Sequence, residues 1–369
     1  MFTLLSPGGS DIFESAEPTE RLLVGSTEGV LSLTRQQDRV GWELAGRSLS
    51  DCHIHALLFE PQSQLLFAGL HKGSVFVSGD YGSSWEARGE GLSEADVYCL
   101  ASSTWDGKVT LFAGTEPAHL FASYNLGRTW NELPGLRSVP SVAQWTFHGP
   151  PHIGHVKHIA VDQAPGVLYA SIEIGGLLRS NDGGSTWEEL PGVPEDVHRV
   201  HVLRSNSEKV YVCTGNGIFV SQDRCKSFQA LTTPECRVGC PDGLIIHPAK
   251  ESLLFTSGPS ALPRTWRQTG SADARIGRSH DGGRTWNYPD KGLPGHILGN
   301  IEALSLHSSD RSNYLFAGTT DGDIFFSDDE GESWSTLASG LPPISKGRHY
   351  SNLRKFRAAI QNPQAPAAG

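Results

Sequence analysis

No run of this chain is apolar over the roughly 18 residues that a membrane-spanning helix requires. The opening Met1-Phe2-Thr3-Leu4-Leu5-Ser6-Pro7 has no basic region and no proper apolar core, so no signal peptide is expected. Cysteine is scarce, with six in 369 residues, too few and too scattered for a disulfide framework. A reducing cytoplasm is the location this implies. Cys236 and Cys240 form a Cys-x3-Cys pair without a second pair to complete a zinc site, so buried or idle thiols are expected there. Basic residues are in deficit, 30 against 40 acidic, and the net charge of −10 argues against nucleic acid as a partner. A solvated acidic surface accounts for it. There is no G-x-S-x-G elbow and no phosphate-binding glycine loop, so neither a serine-hydrolase nucleophile nor a nucleotide cofactor is expected.

What the chain has is a repeat. Short polar turns follow the pattern Ser-x-Asp-x-Gly-x-Ser/Thr-Trp, cleanly at Ser78 to Trp85, Ser180 to Trp187, Ser279 to Trp286 and Ser327 to Trp334. A worn copy at Ser123 to Trp130 has Asn125 for Asp, and another at Ser221 to Phe228 has Cys225 for Gly and Phe for Trp. The chemistry is that of a turn. Asp and Ser accept hydrogen bonds from nearby amides, Gly supplies positive φ, and Trp begins a strand whose ring fills a gap between sheets.

Each turn follows two or three short β-rich runs, as at residues 54–59, 65–69 and 74–78, with a further run at 85–88. Such units read as four antiparallel strands, A to D from the inside out, and stacked repeats of this kind share a continuous core. A seventh, degenerate unit begins the chain at 22–25, 29–33 and 41–44. The expected fold is all-β: a seven-bladed β-propeller forming one domain over residues 1–369. Its repeats run at about 20–46, 53–88, 96–133, 155–190, 198–231, 242–288 and 300–338, with 340–369 as a tail. For strand A of blade one there are two candidates, residues 11–16 and the tail run 356–360, with the tail preferred.

Repeats such as Tyr314-Leu315-Phe316-Ala317-Gly318-Thr319 followed by Ser327 to Trp334 resemble the Asp-box (bacterial neuraminidase repeat) propellers. That superfamily includes sialidases, xyloglucanases, photosystem assembly factors and many bacterial proteins without known activity. The resemblance covers residues 20–340 and implies the fold, while leaving function open because the motif is structural.

Alternating strand direction puts the D-to-A and B-to-C connections on one face and the repeated turns on the other. The two largest insertions, 133–156 and 256–275, fall on the first, variable face, where binding and catalysis usually reside. Aligning the A strands on their ends brings His55, Tyr98, Lys157, Arg199, Asp242 and Glu302 to one position, all polar. Two residues earlier stand His53, Asp96, His155, Val197, Cys240 and Asn300, on the same side by period-2 alternation. A polar collar at the mouth of the channel follows.

Two uses of the collar remain open: a site of imidazoles and carboxylates, or a channel that is polar because water fills it. In the first, His53, His55, His155 and His198 are the expected ligands of a divalent metal. Glu173, Tyr98 and Glu302 would move protons, and Lys157 or Arg199 would hold an anionic group. Trp145, Phe147, His148, Trp266 and Arg267, in the long loops, are the expected walls of a small-molecule pocket.

Sialidase activity is disfavoured, since the early Arg-x-Pro motif is missing and the blades number seven where six are usual. A xyloglucanase of this superfamily is built from two propellers, and this chain holds one. Two functions survive: a cytoplasmic metal-assisted hydrolase or lyase acting on a small ligand, or a non-catalytic scaffold that binds a protein or peptide on the same face, as the assembly factors do. No membrane partner is expected for either.

Overall fold

The structure, a computed structural model, describes residues 1–36, 41–94, 96–232, 236–260, 262–347 and 349–361, without the side chains of residues 267, 349, 350, 352 and 361. Seven sheets radiate around a central axis, forming the seven-bladed propeller that the repeats predicted. Blade two is typical, with strands Ile54–Glu60, Leu65–Leu70, Ser74–Ser78 and Glu86–Ala87 paired antiparallel in that order. In blade six the outermost strand shrinks to a single bridge between Arg278 and Asn287. Among the described residues no helix is long and apolar enough to cross a membrane.

One blade cannot cover its own apolar faces, so the core lies between blades. Seven buried clusters each join residues of two adjacent blades; Ala56, Phe67 and Val77 of blade two, for example, meet Val97, Leu111 and Phe121 of blade three. The tryptophans of the repeated turns are the wedges. Trp130 is buried in that cluster and donates its indole N–H to the Arg88 carbonyl at 2.9 Å, and Trp334 fills the gap between blades six and seven.

Each repeated turn is wired alike. Ser78 Oγ accepts from Gly82 N at 2.8 Å and donates to Asp80 Oδ1, while Asp80 accepts from the amide and hydroxyl of Ser84 at 2.8 and 2.6 Å. Those bonds from Ser84 hold the Asp80 carboxyl down at about 2. In the worn copy Cys225 takes the glycine's place at φ +66° and still donates to Ser221 Oγ. The turn of blade four touches the A–B turn, Gly183 N donating to Gly166 O, which puts the motif on the face opposite the long insertions.

Ring closure differs from both expectations. Strand A of blade one is Thr3–Leu5, running parallel to Arg21–Ser26. Ile12–Ser15, within the candidate run 11–16, adds instead to blade seven, parallel to Ile301–Ser309. The run 356–360 lies in a helix, His349–Gln361, whose Leu353 packs on Trp266. Its Leu353, Arg354, Lys355, Arg357, Ala358 and Ala359 are strong helix formers and favour helix over strand.

Between its two short strands the N-terminal segment crosses the central channel. Gly8 N and Ser10 N donate to the carbonyls of His55 and Leu57, and Leu100 N donates to Gly8 O. The crossing needs glycine: a Cβ on Gly8 would come within 2.5 Å of the Tyr98 carbonyl, and one on Gly9 would overlap that of Leu57. The channel is therefore divided. On the side of the repeated turns the segment roofs a cavity of about 290 Å³, lined by His158, His201, His247 and the strand backbones.

Candidate binding site at the channel mouth

On the variable face the A strands enter the channel through irregular pairing. Register shifts leave His55, Tyr98, Lys157, His198 and Glu302 opposite no partner residue. A bulge re-aims its side chain, and here it concentrates polar groups on the axis. Blade five corrects the sequence alignment by one residue: Val200 pairs with Val212 as Ile159 pairs with Ala170, so His198, and not Arg199, is the counterpart of Lys157. Blade five carries a second irregularity, between Val202 and Leu203, which displaced an alignment made on the strand ends.

At the centre Lys157 and Glu173 form a buried ion pair, Nζ to Oε2 at 2.9 Å, with Asp242 Oδ1 3.3 Å from the same ammonium. Glu173 also meets His155 Nε2 at 2.7 Å. Burial would raise the Glu173 carboxyl, but Lys157, His155 and His198 bring it well below the usual carboxylate range. The lysine is held above its ordinary value: burial works against the ammonium and is outweighed by Glu173 and Asp242. Arg199 is buried and fully used, donating to Asp11 Oδ2 at 2.7 Å, Pro7 O at 2.9 Å and Asp242 O at 3.2 Å. Neither of the cations expected to hold an anionic group is thus open to one.

The four predicted histidine ligands separate into two groups. Tyr98 stands between them, stacked on His155 at 3.9 Å and edge-on to His55 at 4.9 Å. On one side His53, His55 and His71 cluster, with His71 Nδ1 on Asp96 Oδ1 at 2.8 Å. His53 bonds the Ser345 carbonyl, and His55 Nε2 accepts from Gly347 N at 3.1 Å. That amide commits the lone pair of His55 Nε2 and leaves the proton on Nδ1, so His55 is a poor metal ligand here. Burial drives His55 well below the ordinary imidazole value and His53 down to about 4.

On the other side His198 donates Nδ1–H to the Pro241 carbonyl at 2.9 Å, and its Nε2 faces Asp196 Oδ1 at 3.2 Å and Glu173 Oε1 at 3.9 Å. Burial and Lys157 disfavour its charged form, yet Asp196 and Asp242 raise it above the usual value. Glu302, expected to move protons, accepts from Ser345 Oγ and Lys346 N.

In the insertions, Phe147 lies edge-on to His155 at 5.2 Å and His148 is exposed, with Nε2 4.0 Å from Asp196 Oδ2. Trp145 packs into the core between blades three and four, its indole N–H on Ser141 Oγ. Trp266 is buried against the C-terminal helix, because the insertion 256–275 docks there. The side chain of Arg267 lies outside the described residues.

Sequence reasoning missed Lys346 and Asp196. Lys346 follows the last blade and turns down into the channel, donating to the Lys157 carbonyl at 3.0 Å, and burial with Arg199 and Lys157 nearby lowers its ammonium to about 7. No strand or turn pattern marks residues 343–347, so nothing in the sequence placed it there.

No protein-family model matches the chain. Its sequence is 24% identical to that of the photosystem II assembly lipoprotein Ycf48 of Synechococcus sp. (strain CC9902), over 56% of this chain and 66% of that protein. Its fold is similar to the structure of YCF48 bound to D1 peptide, with TM-score 0.54, 15% identity, and 85% and 93% of the two chains covered. An ancestral GH74 enzyme superposes with TM-score 0.57 and 15% identity, over 80% of this chain and 40% of the enzyme's. At these identities the structures establish the propeller fold and no activity.

Proposed function

We propose that the protein is a non-catalytic propeller scaffold that binds a protein or peptide segment on its variable face, and that the segment carries basic side chains. The observation that carries this is the distribution of charge at the mouth. Lys157 and Arg199 are buried and neutralised by Glu173, Asp242 and Asp11. The carboxylates of Asp96, Glu116 and Asp196 keep 14%, 21% and 23% of their side-chain surface open. A ligand approaching from solvent therefore meets negative charge on a rigid rim. Similarity to the assembly protein Ycf48, one structure of which holds a D1 peptide, agrees with a peptide-binding role. The shared turn motif supports a place in the Asp-box superfamily.

Binding of synthetic peptides that differ only in charge, followed by fluorescence anisotropy, tests the reading. Lys- and Arg-bearing peptides should bind, more weakly as salt rises, and the Asp96→Asn/Glu116→Gln variant should lose about tenfold, equivalent to about 1.4 kcal/mol. Equal binding of acidic peptides would overturn it. A second reading, a metal-assisted hydrolase or lyase, is favoured by the group Glu173, Asp196 and His198 and would show turnover dependent on an added divalent cation.

A further inference from the structure

We infer that Glu173, Asp196 and His198 form a binding site for one divalent transition-metal cation, with His148 as the ligand that closes over it. The inference goes beyond the peptide-binding reading and does not depend on it. One candidate ligand atom from each of the three residues lies within 4.8 Å of the other two.

The state of His198 decides between this group and the other cluster of histidines. Its Nδ1–H is spent on the Pro241 carbonyl at 2.9 Å, so Nε2 is the nitrogen that faces the carboxylates of Asp196 and Glu173 and is the atom that exchanges a proton for a metal ion. Two carboxylates facing one nitrogen call for a positive charge between them, which a proton or a metal ion supplies. A backbone carbonyl behind a ligating imidazole is also the usual way in which a protein fixes the tautomer and orientation of a metal ligand. His55 shows the reverse arrangement, with its lone pair taken by Gly347 N.

Distances agree. Tetrahedral ligands about 2.0–2.2 Å from zinc lie roughly 3.3–3.6 Å from one another. His198 Nε2 is 3.2 Å from Asp196 Oδ1 and 3.9 Å from Glu173 Oε1, so shifts of less than about 0.5 Å meet that requirement at both contacts. Oε1 is the Glu173 oxygen turned towards His198, while Lys157 and His155 engage Oε2. Charge agrees as well. Glu173, Asp196 and Asp242 supply three negative charges around this point, against the ammonium of Lys157 and that of Lys346, which burial lowers to about 7, so negative charge is in excess and a cation is favoured there.

Access is through the rim. Asp196 is partly exposed, and His148 extends over it from the long insertion, its Nε2 4.0 Å from Asp196 Oδ2 with three quarters of the side chain in solvent. A rotation of an exposed side chain brings it to the fourth position. Imidazole nitrogens with carboxylate oxygens are a donor set that suits Zn²⁺, Co²⁺ or Ni²⁺ better than Ca²⁺.

Chelator-treated, tag-free full-length protein titrated with Zn²⁺ in a calorimeter should bind one equivalent, and Co²⁺ should give the visible bands of a four-coordinate site. Asp196→Asn should weaken binding at least tenfold and His148→Ala by less, with circular dichroism confirming the fold of each. If Asp196→Asn fails to fold, Co²⁺-shifted proton resonances assigned to the His198 ring in the parent protein provide the same test. Failure of the parent to bind either cation overturns the proposal and leaves a proton on His198 as the balancing charge. So does retention of full affinity in Asp196→Asn together with its loss in His71→Ala, which would move the site to the other histidine cluster.

Discussion

Asp11→Ala tests how the N-terminal segment is held in the channel. Arg199 is buried, with a side chain 4% exposed, and Asp11 supplies its carboxylate partner at 2.7 Å. The substitution leaves a guanidinium out of water with two carbonyl acceptors, Pro7 and Asp242. Removing one partner of a buried pair costs about 3–5 kcal/mol, and the surviving carbonyl bonds place this case near 3. Replacing both groups, as in Asp11→Ala/Arg199→Met, with Arg199→Met as the other single variant, removes the stranded charge and should cost less than Asp11→Ala alone. The expected coupling is about 2 kcal/mol. Urea unfolding followed by tryptophan fluorescence measures the cycle, provided each variant unfolds in one transition. A cost below about 1 kcal/mol for Asp11→Ala, with no coupling, would show that the pair behaves as a surface contact and would refute the reasoning.

Gly9→Ala should destabilise by about 1–3 kcal/mol through overlap with the Leu57 carbonyl, and should expose the first residues to limited proteolysis, read by mass spectrometry. Trp187→Ala should cost about 3–5 kcal/mol, measured by denaturation, because its ring packs into the cluster between blades three and four. Lys346 titrates at about 7 in the fold against 10.5 when unfolded, so between these values the unfolded chain binds more protons. Thermal melts should therefore show the parent gaining stability relative to Lys346→Met as pH rises above about 7, with no change between them below it; a gain on acidification would contradict the buried ammonium.

Seven blades, the wiring of the turns and the polar ring at the strand entries were legible because each leaves a repeated mark: Gly and Asp at fixed offsets, alternation along short strands, and Trp where a new strand begins. His55, Tyr98, Lys157, Asp242 and Glu302 stand where the alignment of the A strands placed them. Blade five slipped by one because a bulge leaves the hydrophobic pattern nearly unchanged while altering the count. Thr3–Leu5 escaped detection, and the run 11–16 was read as a candidate strand of blade one, for a different reason. They pair in parallel with distant strands, and such pairing has no turn to announce it. Trp266 was assigned to a pocket wall because an aromatic residue in a long loop reads the same whether it meets a ligand or a helix, and only the docking of residues 349–361 separates the two.

The crossing segment also bears on the order of events during synthesis. Ile12 finds its partner in Leu306, so a strand made early by the ribosome pairs with one made almost last. Until blade seven emerges, Ile12–Ser15 has no edge to join, and blades that fold in succession around the axis form an open arc. Closure of the circle by this pairing joins strands far apart in sequence, so it is expected to be a late and slow step of folding.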